Sequence, residues 1–179
     1  YQSGTAQGKR VPAADGAKNV LLVMPDAEED STLRAIIGSS FGCAGQRCMA
    51  GSVLMAVGKS TADHWRERVA SAIDSIHVSN TSEDTKAEMG PVIDQAAQRR
   101  VRDYLSQAPT DGAHVVREAS PRTPERGFFV GPALVDEVKP GMRLFQDEIF
   151  GPVLSLVRPE TLTEAIAMMN SLQFGNGAT

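Results

Sequence analysis

VLLVMPDAEEDSTLRAIIGSSFGCAGQRCMAGSVLMAV, running from Val20 to Val57, sets out a strand, a helix and a second strand in one stretch. Val20 to Met24 is a continuous apolar run closed by Pro25-Asp26, which suits a strand buried on both faces. Leu33, Ile36, Ile37 and Phe41 then recur at three and four residues, the stripe of an amphipathic helix, and Gly42 ends it. A Gly-Gln-Arg-Cys turn leads into Ser52 to Val57, the second strand.

Moving outward, Trp65, Val69, Ala72, Ile73 and Ile76 line one face of a further helix. Ala97, Val101, Tyr104 and Leu105 do the same after Asp94. Residues 107–127 hold three prolines and many charges around a brief extended element at His114 to Val116, and read as surface loop. Phe128 to Val138 and Val153 to Val157 are β-rich. A last helix starts near Thr161, where Thr161 and Glu164 fit a capping box, and is expected to bury Leu162, Ala165, Ile166 and Met169. The opening residues give no helix or strand start. Strands separated by helical patterns predict an α/β fold with a mostly parallel sheet and helices on its faces.

The chain has 179 residues, with 41% hydrophobic, 22% charged, 16 Gly and 10 Pro, an ordinary globular balance. That length favours a single domain, residues 1–179. No stretch approaches the ~20 apolar residues of a membrane helix. The net charge of −4, from 18 basic and 22 acidic residues, lacks the basic footprint of a nucleic-acid binder. Two cysteines are too few for a disulfide scaffold, and a chain of this size buries a core without one. A soluble, intracellular domain is the expectation. Neither YQSGTAQGKR at the start nor FGNGAT at the end looks like a natural terminus, which points to a piece of a longer protein.

Cys48 is the most pointed residue. It lies in a turn built from Gly42, Gly45 and small side chains, where backbone and ligand can approach closely. A thiol attacks only as thiolate, and a free pKa of ~8.5 leaves most of it protonated near neutrality. Activation therefore needs a nearby cation or converging amide dipoles, and Arg47 is adjacent in sequence. The plainer alternative is a small apolar side chain packed in the core. Cys43, five residues earlier, opens a third possibility, a reversible Cys43–Cys48 thiol switch. His64, His77 and His114 are scattered without metal-ligand spacing, so no metal site is expected. GTAQGKR (Gly4 to Arg10) is too short between its glycines for a phosphate loop and lacks the Ser or Thr after Lys. In QDEIFGPV (Gln146 to Val153), Asp147 and Glu148 precede Phe150. A carboxylate beside an aromatic suits a ribose with a flat ring, and equally a solvated acid beside a core Phe.

FGCAGQRCMA, GFFVGP (Gly127 to Pro132) and EIFGPV (Glu148 to Val153), in this order and spacing, resemble the aldehyde dehydrogenase superfamily. MGPVID (Met89 to Asp94) and EAIAMMN (Glu164 to Asn170) fall where that family carries similar segments. GKRV, GAKN, VMPDA and FGCAGQRCMA are most similar to the coenzyme A-acylating, methylmalonate-semialdehyde branch. The resemblance covers essentially the whole chain.

It implies a three-layer α/β/α catalytic domain, with most of the dinucleotide-binding domain lying upstream. It implies NAD as cofactor, coenzyme A as co-substrate, a small semialdehyde substrate and a homo-oligomer, in the cytoplasm or, in a eukaryote, the mitochondrial matrix. Cys48 matches the nucleophile, Glu148 the acid that holds the nicotinamide ribose, and Phe150 the aromatic beside it. Asp15 falls where a backbone group approaches the nicotinamide, and Arg47 is a candidate partner for the substrate carboxylate. Hydrolytic members carry a glutamate general base where alignment of GAKN places Ala14. The missing base suits acyl transfer to coenzyme A, with malonate or methylmalonate semialdehyde giving acetyl- or propionyl-coenzyme A and carbon dioxide, as in valine breakdown. A hydrolytic aldehyde dehydrogenase using NAD or NADP is the competing reading. The segment alone is expected to be inactive.

Overall fold

The computed structural model describes residues 1–118 and 123–179. Its five strands are β1 Asn19–Val23, β2 Gly51–Ala56, β3 His114–Glu118, β4 Ala133–Asp136 and β5 Val153–Val157, in the order β1-β2-β5-β4-β3. Four of them run parallel, and β3 closes one side antiparallel to β4. Leu21, Leu54 and Leu156 stand in one row across β1, β2 and β5. Every residue of β5 is buried, as a strand covered on both faces requires.

The helices are α1 Gln2–Thr5, α2 Glu29–Phe41, α3 Lys59–Ser75, α4 Gln95–Gln107, α5 Arg143–Gln146 and α6 Leu162–Asn170. The crossover from β1 to β2 through α2 steps one way across the sheet, and that from β4 to β5 through α5 steps the other way. Parallel crossovers are right-handed, so α2 and α5 lie on opposite faces. Helix α3 packs against α2. Helix α4 joins α5, because the Tyr104 hydroxyl donates to Asp147 at 2.8 Å and the Arg143 guanidinium lies 4.4 Å over the Tyr104 ring. Three layers result, as expected.

The edge strand β1 is itself covered. Main-chain bonds from Lys18, Val20 and Leu22 to the carbonyls of Gly175, Gly177 and Thr179 lay the last residues alongside it. A knot of charge sits beyond the opposite ends of the central strands. Arg158 grips both oxygens of buried Asp136, at 2.8 and 2.7 Å, and also donates to Asp63 at 2.7 Å. Arg66 adds a contact to Asp136 at 3.1 Å.

Four expectations need correction. Residues Gln2 to Thr5 form a short exposed helix where none was read. Of Phe128 to Val138, only Ala133–Asp136 is strand. In α6, Leu162 and Ile166 are 43% and 44% exposed, while Ala165 is buried and Met168, Met169 and Leu172 pack on the core. Two stripes compete on that helix. The core takes the stripe of Ala165, Met168, Met169 and Leu172, itself spaced at three and four residues. The capping box is also half made: Thr161 accepts from the Glu164 N–H, but the Glu164 carboxylate accepts from Glu160 rather than from Thr161. Residues 119–122, part of the stretch read as loop, lie outside the described residues.

Candidate active site

The segment between α2 and β2 takes an uncommon path. Cys43, Ala44 and Gly45 are consecutive residues in the left-handed region, with φ of 53°, 53° and 67°. For the two residues with a Cβ this costs roughly 1–2 kcal/mol each. The turn persists because its surroundings leave little choice. Ala44 and Gly45 are buried, and a Cβ on Gly45 would stand 2.2 Å from the Gly151 carbonyl oxygen. Gln46 accepts a bond from the Ile93 N–H at 3.0 Å. Thus the cysteine-bearing turn is seated directly on the EIFGPV segment.

Cys48 lies exposed in the loop that follows, just before β2. Its carbonyl accepts two side-chain amides, Asn19 Nδ2 at 2.8 Å and Asn176 Nδ2 at 2.7 Å. Asn19 also donates to the Ala50 carbonyl at 2.9 Å, so it spans the Cys48 loop. Arg47 turns away. Its guanidinium donates to the Gly38 and Ser39 carbonyls at 2.6 and 3.2 Å, in the last turn of α2. Those carbonyls lack partners within the helix, and the negative end of the helix dipole favours a cation there. In this arrangement Arg47 caps α2.

The second limb follows α5. Lys18, 1% exposed, donates from Nζ to the Asp147 carbonyl at 2.7 Å. Arg100 donates to the Ile149 carbonyl at 3.0 Å. Burial pushes the Lys18 ammonium down to about 8, against the opposing pull of Asp147 and Glu148. Glu148 is half-buried, and among the described residues its carboxylate accepts no hydrogen bond, which leaves it open to a hydroxyl donor. A Cβ on Gly16 would meet Glu148 Oε2 at 3.3 Å and the Phe174 ring at 3.1 Å, so the Asp15-Gly16 turn lies against this acid. The Asp15 side chain accepts from the Gly16 N–H at 2.8 Å, stiffening that turn. Phe150 has φ of 54° and is 37% exposed, which displays its ring rather than burying it. One cavity is lined by Ala17, Arg47, Ala50, Glu148 and Phe150 together. Cys43 lines a neighbouring concavity with Gln46, Pro91 and Phe150.

The sequence and the fold both have counterparts among known proteins. The aldehyde dehydrogenase family model matches residues 1–179. The chain belongs to the aldehyde dehydrogenase family. It is similar to malonate-semialdehyde dehydrogenase 2 of Geobacillus thermodenitrificans, with 46% identity over 99% of this chain and 37% of that one. Among solved structures, the methylmalonate-semialdehyde dehydrogenase of Oceanimonas doudoroffii superposes with a TM-score of 0.91 at 39% identity, covering 99% of this chain and 37% of that one. Betaine aldehyde dehydrogenase from Staphylococcus aureus, solved with NAD+, matches at a TM-score of 0.84 and 28% identity, over 91% of this chain and 33% of its own. The chain therefore spans little more than a third of the relatives it matches.

Sequence reading missed Lys18, Asn19, Asn176, Tyr104 and Arg100. Only GAKN held a signal, since a Lys-Asn pair abuts an apolar strand, where a polar pair is either solvated or bonded. Tyr104 was read as core, and its hydroxyl has the acceptor that burial demands.

Proposed function

We propose that this chain is the nucleophile-bearing domain of a longer, cytoplasmic semialdehyde dehydrogenase that uses NAD and passes its acyl group to coenzyme A. The observation that carries the reading is the seating of the Cys43–Gly45 turn, which leads into the Cys48 loop, on Gly151 next to Glu148 and Phe150, with 46% identity to a malonate-semialdehyde dehydrogenase beside it. Cys48 attacks the aldehyde carbon through its thiolate and forms a thiohemiacetal. Glu148, an open carboxylate, accepts from ribose hydroxyls, and the exposed Phe150 ring packs against a flat heterocycle. The residues present thus suit NAD, which when bound supplies the hydride acceptor that makes the adduct a thioester. The backbone N–H of Cys48 stabilises the oxyanion of that adduct.

Ala14 offers no proton acceptor, and general-base assistance is typically worth 10²–10⁴-fold. Water therefore attacks the thioester slowly, whereas a coenzyme A thiol needs less help. Alone, the 179-residue chain is inactive in this reading, and homo-oligomers belong to the longer protein. The test uses that longer protein with NAD and malonate or methylmalonate semialdehyde. Without coenzyme A, NADH should appear as a burst of about one equivalent per site, as an acyl-enzyme that accumulates predicts. With it, turnover should continue to an acyl-coenzyme A. Steady release of free acid without coenzyme A would favour the hydrolytic reading. A Cys43–Cys48 crosslink under oxidant, with no aldehyde adduct on Cys48, would favour the thiol switch.

A further inference from the structure

Lys18 and Asn19 are consecutive, both buried, and both spend their side chains on main-chain carbonyls of other segments. Successive side chains at the entry to a strand point to opposite sides. Lys18 accordingly reaches the Asp147 carbonyl, directly before Glu148, and Asn19 reaches the Cys48 and Ala50 carbonyls around the thiol. One rigid peptide unit at the mouth of β1 thus holds the two halves of the site. We infer that Lys18 and Asn19 form a two-handed clamp that sets the separation between the nucleophile and the cofactor-binding acid. Both are positioning residues, and the inference rests on the dehydrogenase reading above.

Two further features support the clamp. Lys18 is withdrawn from water, which disfavours its charge, so burial alone does not account for its presence. Asn176 duplicates the Asn19 contact on the Cys48 carbonyl and lies within hydrogen-bonding reach of Asn19 Oδ1, at 3.4 Å. The nucleophile hand is therefore doubled, and on the acid limb Lys18 holds the Asp147 carbonyl while Arg100 holds that of Ile149 on the other side of Glu148.

The prediction is a crossed pattern in the full-length enzyme. Lys18→Met removes the hand on the Glu148 limb and should weaken NAD binding by about tenfold, a loss in line with small misplacements of a binding group. It should leave the alkylation rate of Cys48 by iodoacetamide, measured without cofactor by peptide mass spectrometry, within about twofold of wild type. Asn19→Ser should do the reverse, slowing Cys48 alkylation by about tenfold while NAD affinity stays within about twofold. If Asn19→Ser fails to fold, Asn176→Gly, which suits the φ of 88° there, loosens the same carbonyl and should slow alkylation alone. Variants that move both readouts together, or neither, overturn the clamp. A wild-type enzyme that binds no NAD, with turnover intact in Cys48→Ser, instead overturns the dehydrogenase reading itself.

Discussion

At the scale of single residues, the site is governed by where charge is buried and where a proton acceptor is missing. Lys18 is the clearest case. Its folded pKa lies near 8, below the ordinary 10.5, because burial penalises the ammonium more than Asp147 and Glu148 favour it. Between those two pH values the unfolded chain binds more protons than the native one, so stability rises with pH across that window. Below about 8 both states are charged and the burial cost is present in full; above 10.5 it is gone. Urea titrations at pH 7 and pH 10.5 should show wild type gaining stability relative to Lys18→Met, by an amount on the order of 2–3 kcal/mol. Equal slopes for both proteins would mean that Lys18 is solvated. The missing acceptor at Ala14 gives the complementary prediction. Ala14→Glu in the full-length enzyme should raise free-acid release without coenzyme A by about tenfold or more, read as steady NADH formation after the burst. A persistent single burst would show that a carboxylate at this position cannot reach the attacking water.

Among elements, the decisive contact is that of two glycines. Gly45 has φ of 67°, and an added Cβ would overlap the Gly151 carbonyl, while a Cβ on Gly151 would come within 2.3 Å of Val101 on α4. Backbone strain and overpacking therefore coincide in Gly45→Ala. The expected loss is about 2–4 kcal/mol in denaturant midpoint analysis, together with slower Cys48 alkylation as the turn is pushed off its seat. Retained stability would mean that the two limbs separate freely. The alternation of buried strands with helical stripes was legible from Val20 onward, because continuous apolar runs and three-four spacing have few other readings. The stripe of α6 was not, since Leu162 and Ile166 make as good an apolar stripe as Ala165, Met168, Met169 and Leu172, and only the packing separates the two. Cys48, Glu148 and Phe150 stood out through local chemistry and resemblance. Lys18, Asn19 and Asn176 did not, because what distinguishes them is a partner far along the chain, such as Asp147 for Lys18. The contacts of Arg47 were hidden for a related reason: its neighbour in sequence is Cys48, but its partners are the carbonyls that α2 leaves unpaired.

At the scale of the whole fold, the sheet of the described residues has two outer strands, and they differ. Edge strand β3 reads HVVRE, is largely exposed, and carries charge that discourages pairing with another chain. Edge strand β1 reads NVLLV and is almost wholly buried, an apolar template if bare. Residues 175–179 occupy it through bonds of 2.7–3.3 Å, including one from the Thr179 N–H to the Val20 carbonyl. The same residues bring Asn176 to the Cys48 carbonyl, so protection of the edge and support of the Cys48 loop depend on one short segment. Truncation after Leu172 should therefore have two effects that appear together. The shortened chain should self-associate at concentrations where the intact chain does not, as seen by size-exclusion chromatography with light scattering. Leu22→Lys in the truncated chain should reverse this, because a lysine on an open strand blocks edge-to-edge pairing. Slowed Cys48 alkylation should persist in that rescued variant, since the charge restores the edge but not the Asn176 amide. If the truncated chain stays as dispersed as the intact one, β1 is not the vulnerable edge. If alkylation recovers together with the dispersed state, the slowing came from association, and Asn176 does not support the thiol.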